Sequence, residues 1–324
     1  MIACPSGIAV IIVSFNAADM LVGCLGALRQ QTVQPVKLIV VDNNSRVCPR
    51  ENVARFFSRA TFISLPENVG FARANNLGLE HTVGCRWVAL LNPDAYPEPE
   101  WLERMLRATE TYHNCTFFGS RMLMAATPEK LDGVGDCYHI SGLAWRRAHG
   151  CSAAGRFLEG REIFSPCAAA AVYRRDVIVK AGGFDESFFC FFEDIDLSFR
   201  LRLMGNRCRY ISEAVVLHEG SAVTVRQSDF SLYHGHRNLV WTFFKNMPWP
   251  ALWLFLGPHI ILNLVTVFWG CFHGHRKIVI RAKLDAIKGL PAILAQRHEL
   301  HCKRVIGLWP LLKLMSWGFG RKSR

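Results

Sequence analysis

IAVIIVSFNAADMLVGCLGALRQQTVQPVKLIVVDNNS, residues 8–45, decides the fold. Its β-branched run at 8–14 ends at Asn16, and 18–30 then carries Leu21, Leu25 and Leu28 at i, i+4 and i+7, the spacing of a helix with one apolar face. A second β-branched run at 36–41 stops at Asp42. The alternation continues with strand patterns at 61–64 and 87–91 and a helical pattern at 70–80. Strand and helix in turn predict an α/β fold with a doubly wound, mostly parallel sheet. In such sheets ligands bind beyond the carboxyl ends of the strands, so FN, VDNNS and NPD mark the crevice.

The 324 residues are 51% hydrophobic and 20% charged, the composition of an ordered globular protein. We divide them into a catalytic domain, residues 1–245, and a basic helical tail, residues 246–324. Residues 276–324 hold 12 Lys or Arg against Asp285 and Glu299, which leaves about +2 of the net charge of +12 for the rest. The basic residues are interleaved with Ile, Leu, Trp and Phe, which suits a membrane surface with anionic lipid and argues against nucleic acid. The 12 cysteines show no C-x-x-C spacing and read as reduced thiols of a cytoplasmic protein. The opening apolar run is too short for an export signal or a membrane span and reads as the first strand.

Several polar residues stand where chemistry is expected. Asp42 follows a buried strand, where its carboxylate accepts from a pyrimidine N–H or a ribose hydroxyl, or else forms an Asx-turn that ends the strand. Asp94 sits in a Pro-bracketed turn in LLNPDAYPEP, a rigid carboxylate suited to Mg2+ or Mn2+; a simple turn-forming role is the alternative. In GGFDESFFCFFEDIDLSFRLR, residues 182–202, an aromatic wall precedes Glu193, Asp194 and Asp196 at a helix start, a placement the helix dipole favours by itself. Asp196 lies four residues before Arg200 and reads as its structural partner. Asp194 is then free to face the crevice as a general base, with Glu193 as its rival for that role. His218, after a further short strand, reads as a ligand to metal or phosphate, or as a satisfied loop histidine.

These stretches, VIIVSFN, IVVDNNS, ENVGFARANNLGL, LLNPDAY and GGFDESFFCFFEDIDLSFRLRLMG, followed by HEGSA and by Arg237-Asn238, resemble family-2 glycosyltransferases, particularly the rhamnosyltransferase-like bacterial branch. The resemblance covers roughly residues 8–245. It implies a GT-A fold, with Asp42 at the nucleotide base or ribose, Asp94 serving the metal and Asp194 as catalytic base. It also implies that Asn16, Asn68, Gly70 and Asn76 lie near the nucleotide and His218 near the diphosphate or metal. One departure stands out: Asn92 occupies the first acidic position of the family's D-x-D motif, and only Asp94 remains.

The implied reaction moves a sugar, rhamnose by resemblance, from a nucleotide-diphospho-sugar donor to a glycan or lipid-linked acceptor with inversion. A catalytically impaired scaffold is the alternative from another class, and retention of Asp42, Asp94 and Asp194 argues against it. A sugar nucleotidyltransferase needs a Gly-rich basic loop near the first strand, which SFNAADML does not supply. Residues 247–272 contain no Asp, Glu, Lys or Arg, enough length to cross about 30 Å of hydrocarbon. Pro258, His259 and Asn263 interrupt them, and a single crossing would put the basic tail outside, against the positive-inside tendency. Lys277, Arg281 and Lys288 on one helical face, Ile280, Leu284 and Ile287 on another, and Trp309 and Trp317 therefore predict monotopic attachment to the cytoplasmic face of the inner membrane.

Overall fold

The computed structural model describes residues 7–155, 157–220 and 228–318; Ser221 and Ala222 of HEGSA lie outside the described residues. The elements run β1 (Ile8–Ser14), α1 (Ala18–Arg29), β2 (Lys37–Asp42), α2 (Arg50–Phe56), β3 (Thr61–Ser64), α3 (Gly70–Glu80), β4 (Trp87–Leu91), β5 (Ala95–Pro97), α4 (Trp101–Thr111), β6 (Phe117–Met124), β7 (Thr127–Gly133), β8 (Asp136–Tyr138) and β9 (Ala144–Arg146). There follow β10 (Arg161–Glu162), β11 (Ala170–Arg174), α5 (Arg175–Lys180), α6 (Glu193–Leu203), β12 (Cys208–His218), α7 (Asp229–Asn246), α8 (Trp249–Phe272), α9 (Arg276–Cys302) and α10 (Leu308–Leu314).

The main sheet runs β10-β12-β6-β11-β4-β1-β2-β3. β4, β1, β2 and β3 are mutually parallel, as the alternation predicts, and β11 lies antiparallel between β4 and β6. The apolar runs are continuous because both faces are covered. Ala9, Ile11 and Val13 of β1 join one buried cluster with α3, while Ile8, Val10 and Ile12 join the opposite one with α1 and α4.

Register then carries polar groups to the crevice. Ser14 pairs with Asp42, and Asp42 with Ser64, which aligns the carboxyl ends of three strands. β12 pairs with β5 so that His218 stands opposite Ala95, beside Asp94. The start of β11 pairs with the end of β4, Ala170 against Leu91, and brings Cys167 and Ala168 to the same rim.

The tail is built into this body. Asp196 is fully buried, with Arg200 Nε at 2.8 Å, as the i, i+4 spacing predicts, and with Lys245 Nζ at 3.0 Å and Asn246 Nδ2 at 2.8 Å. Leu252 and Phe255 of α8 and Leu311 and Leu312 of α10 pack with Phe199 and Leu203 of α6. Arg297 of α9 donates to the Phe244 carbonyl at 2.6 Å. All eleven described cysteines are free thiols.

Between α5 and α6 the chain makes a costly turn. Phe189, Phe191 and Phe192 have φ of 65°, 66° and 68°, a left-handed conformation that costs a non-glycine residue about 1–2 kcal/mol. Asn238 of α7, fully buried, compensates: its amide donates to the carbonyls of Phe188 at 2.9 Å, Cys190 at 2.9 Å and Phe191 at 2.7 Å. Arg237 adds bonds to the carbonyls of Ser187 and Phe188, each at 3.0 Å. Asn238→Ala strips these carbonyls of a shared donor, and we expect a loss of about 2–4 kcal/mol in denaturant unfolding. A loss below about 0.5 kcal/mol would show that the turn holds without the clamp.

Candidate active site

A cleft of about 890 Å³ opens at the carboxyl ends of the parallel strands. Of the residues singled out from sequence, Asn68, Gly70, Asp94, Glu193, Asp194 and His218 line it. Asn16, Asp42 and Asn76 are not among its lining residues.

Asp42 is buried next to the cleft, and its Oδ1 accepts from the Ser45 backbone N–H at 3.2 Å, the turn geometry that is the alternative to base contact. Asn16 is exposed, with φ of 51°; its Oδ1 accepts from Arg46 N–H at 2.9 Å and its own N–H donates to Ser45 Oγ. Asn16 thus ties the β1–α1 loop to the β2–α2 loop, and Asp42 holds the start of the latter. Asn76 is engaged at the base of the aromatic turn: its amide donates to the Phe184 carbonyl at 2.9 Å and its oxygen accepts from Phe184 N–H at 2.8 Å.

Between these loops the lining residue is Asn43. Its amide donates to Asn68 Oδ1 at 2.8 Å, and its oxygen accepts from Val69 N–H at 2.9 Å, which fixes the start of α3. Gly70 has φ of 84°, and a Cβ there would come within 2.7 Å of the Phe189 backbone oxygen, so only glycine lets the aromatic turn close against α3.

On the far side stand Asp94 and His218. Nε2 of His218 lies 3.5 Å from Asp94 Oδ1, and Nδ1 meets Asp132 Oδ2 at 2.8 Å. Burial works against a charged imidazole here, but the hydrogen bond to Asp132 and the nearby Asp94 carboxylate outweigh it and raise the pKa of His218 above its ordinary value. His218 Nε2 is buried without a hydrogen-bond partner. One carboxylate and one unsatisfied imidazole nitrogen, facing a cleft wide enough for phosphate oxygens, fit Mg2+ or Mn2+.

Asp194 and Glu193 open α6 at the cleft floor. Asp194 Oδ1 accepts from Ile195 N–H at 2.8 Å, and Oδ2 faces Ala168 N–H at 3.4 Å. Burial raises the Asp194 pKa above the ordinary aspartate value, although these N–H groups and the Arg146 guanidinium oppose the rise. Glu193 is pushed well above its ordinary value by burial and by the neighbouring Asp194 charge.

Four further lining residues have no place in the sequence-based set: Asp132, Asp136, Arg146 and Cys167. Arg146 donates to Asp132 at 2.6 Å and to Cys167 Sγ at 2.7 Å, and approaches Asp136 at 3.7 Å. Ligand atoms of Asp136, Cys167 and Asp194 all lie within 4.8 Å of one another. Asp136 is raised to about 7, chiefly by burial and, against the pull of Arg146, by the nearby Asp194 and Asp132. The one signal in the sequence is the Gly-Asp punctuation of LDGVGD, residues 131–136, in a stretch that reads as loops and short strands.

Residues 9–182 match Glycosyl transferase family 2. A Mycobacterium tuberculosis N-acetylglucosaminyl-diphospho-decaprenol L-rhamnosyltransferase is 23% identical over 249 residues, 71% of this chain and 81% of the relative. A Haemophilus influenzae protein described as an uncharacterized glycosyltransferase is 25% identical over 149 residues, and the chain spans 44% of that relative's length. Among solved structures, S. aureus TarS 1–349 superposes with a TM-score of 0.56 at 15% identity, over 92% of this chain and 88% of that one. GalNAc-T7, crystallised with UDP, GalNAc and Mn2+, gives a TM-score of 0.58 at 12% identity, over 74% of this chain and 48% of that one. At such identities the likeness is one of fold, and that fold is GT-A. The family match runs over more than half of the chain and takes in the strand ends that build the cleft, so the protein belongs to Glycosyl transferase family 2.

Proposed function

We propose that this protein is an inverting glycosyltransferase that uses Asp194 as general base and a divalent cation at Asp94 and His218 to transfer a sugar from a nucleoside-diphosphate donor. The observation that carries this reading is the shared cleft: a half-buried carboxylate raised above the ordinary aspartate value on the floor, and a carboxylate–imidazole pair on the wall. Asn43, Asn68 and Gly70 shape the nucleotide side, with Asp42 and Asn16 behind them in the loops that frame it. Asn76 supports the turn that leads to Asp194.

The acceptor hydroxyl gives its proton to Asp194 as its oxygen attacks the anomeric carbon from the face opposite the leaving group. The bond from that carbon to the nucleoside diphosphate breaks, and its electron pair leaves on the diphosphate oxygen. The cation supplies positive charge for that departing oxygen when bound. Glu193, pushed well above its ordinary value by burial and the Asp194 charge, is the weaker candidate for the base. Rhamnose as the sugar, and a polyprenyl-diphosphate-linked glycan as the acceptor, are favoured by the mycobacterial relative's activity.

Membrane attachment follows from α8, whose polarity is reversed relative to a helix in water. His259 is buried with Nδ1 2.8 Å from the Ser141 carbonyl and its ring stacked on Phe243, while Trp253, Leu254, Ile261, Leu264, Val265 and Phe268 face outward. Ala251, Leu252, Phe255, His259 and Gly270 are buried at intervals along α8, so the helix lies on the protein and presents its other face to a bilayer. This supports monotopic attachment over a crossing. Arg276, Lys277, Arg281 and Lys288 line one side of the neighbouring α9, where anionic headgroups of a cytoplasmic leaflet would meet them.

Asp194→Asn should lower turnover by about 10²–10⁴-fold with donor binding preserved, measured as donor consumption against calorimetric affinity; near-normal turnover would remove Asp194 from the base role. Because the pKa of Asp194 is raised, activity is present above that raised value and lost as pH falls through it. The acid limb of kcat/KM should therefore lie above the ordinary aspartate value of about 3.9, and a profile flat down to that pH would contradict an ionised Asp194 base. The triple change Ile261→Asp, Leu264→Asp and Phe268→Asp should abolish flotation with phosphatidylglycerol vesicles; unchanged flotation would rule out α8 as the anchor.

A further inference from the structure

Asp132, one residue before the end of β7, meets three partners. Its Oδ2 lies 2.8 Å from His218 Nδ1 and accepts from Arg146 at 2.6 Å, and Oδ1 lies 3.4 Å from His149 Nδ1. Gly133 makes the contact possible, because a Cβ there would collide with the Arg146 side chain as it crosses β7. A carboxylate paired to a guanidinium offers only lone pairs, so His218 Nδ1 must be the donor. In the neutral ring Nε2 is then left as a bare lone pair. Nε2 is the buried atom without a partner, facing Asp94 Oδ1.

We propose that Asp132 is a positioning residue that fixes the tautomer and ring plane of His218 so that Nε2 and Asp94 together receive the divalent cation. This rests on the metal reading given above for Asp94 and His218. Asp132 is not itself placed as a ligand: its Oδ2 is taken by His218 and Arg146. A carboxylate behind a metal-binding imidazole raises the ring's basicity and holds its direction, and losing one typically weakens metal binding about 10–100-fold.

The test titrates the full chain in detergent with MnCl2 and reads free Mn2+ by electron paramagnetic resonance. Asp132→Ala should bind about 10–100-fold more weakly than wild type. Asp132→Asn, which keeps an acceptor oxygen, should recover most of that loss. Wild-type affinity in Asp132→Ala, with affinity lost in His218→Ala, would overturn the positioning role. Failure of the wild-type chain to take up Mn2+ would instead overturn the metal reading. A second measurement on the unmutated chain covers a variant that does not fold: long-range ¹H–¹⁵N spectra of labelled histidines, followed upward in pH until the His218 signals stop moving and the ring is neutral. His218 protonated on Nδ1 is the expected result, and His218 protonated on Nε2 contradicts the proposal.

Discussion

One buried amide holds the two halves of the site together. Asn238 gathers the carbonyls of Phe188, Cys190 and Phe191 and so stabilises three phenylalanines near a left-handed conformation that the chain would otherwise leave. The turn it secures presses Phe189 against Gly70 on one side of the cleft and delivers Glu193 and Asp194 to its floor on the other. Because Asn238 belongs to α7, and α9 packs along α7, the cleft floor is braced by the same helices that lead to the apolar face of α8. The division at residue 245 falls at the end of α7, but α8, α9 and α10 bury side chains in the catalytic body, and the two parts share a core.

Charge organises the rest. Asp94, His218, Asp132, Arg146 and Asp136 form a continuous chain across the cleft, from its Asp94 wall to the neighbourhood of Asp194. Arg146 is the counter-charge within it. Burial raises Asp136 and Asp194, and the guanidinium limits the rise, so these two acids on the cleft floor are shifted above ordinary carboxylates while Asp132 is shifted well below them.

The four parallel strands were legible because strands covered on both faces need unbroken apolar runs, and each run stops at a polar strand end. The pairing of Asp196 with Arg200 was legible from helical spacing, and the arrival of Asp94, Asp194 and His218 at one cleft from their places after strands or at a helix start. Asp42 illustrates the limit: sequence marks it as a strand end, while the direction of its carboxylate, toward Ser45, is set by the fold of the following loop. Asp132, Asp136 and Arg146 were not legible, because they lie on β7, β8 and β9, whose strands are short or bulged and whose meeting with His218 depends on the register of β12 on β6. Local pattern carries no record of that register.

The most direct measurement is the anomalous scattering of Mn2+ in crystals of the full chain grown with a nucleoside diphosphate. The expected result is one manganese peak within coordinating distance of both an Asp94 oxygen and His218 Nε2, with the diphosphate between it and Asp194. A peak at Asp136 and Cys167, or a nucleotide bound away from the strand ends, would contradict it.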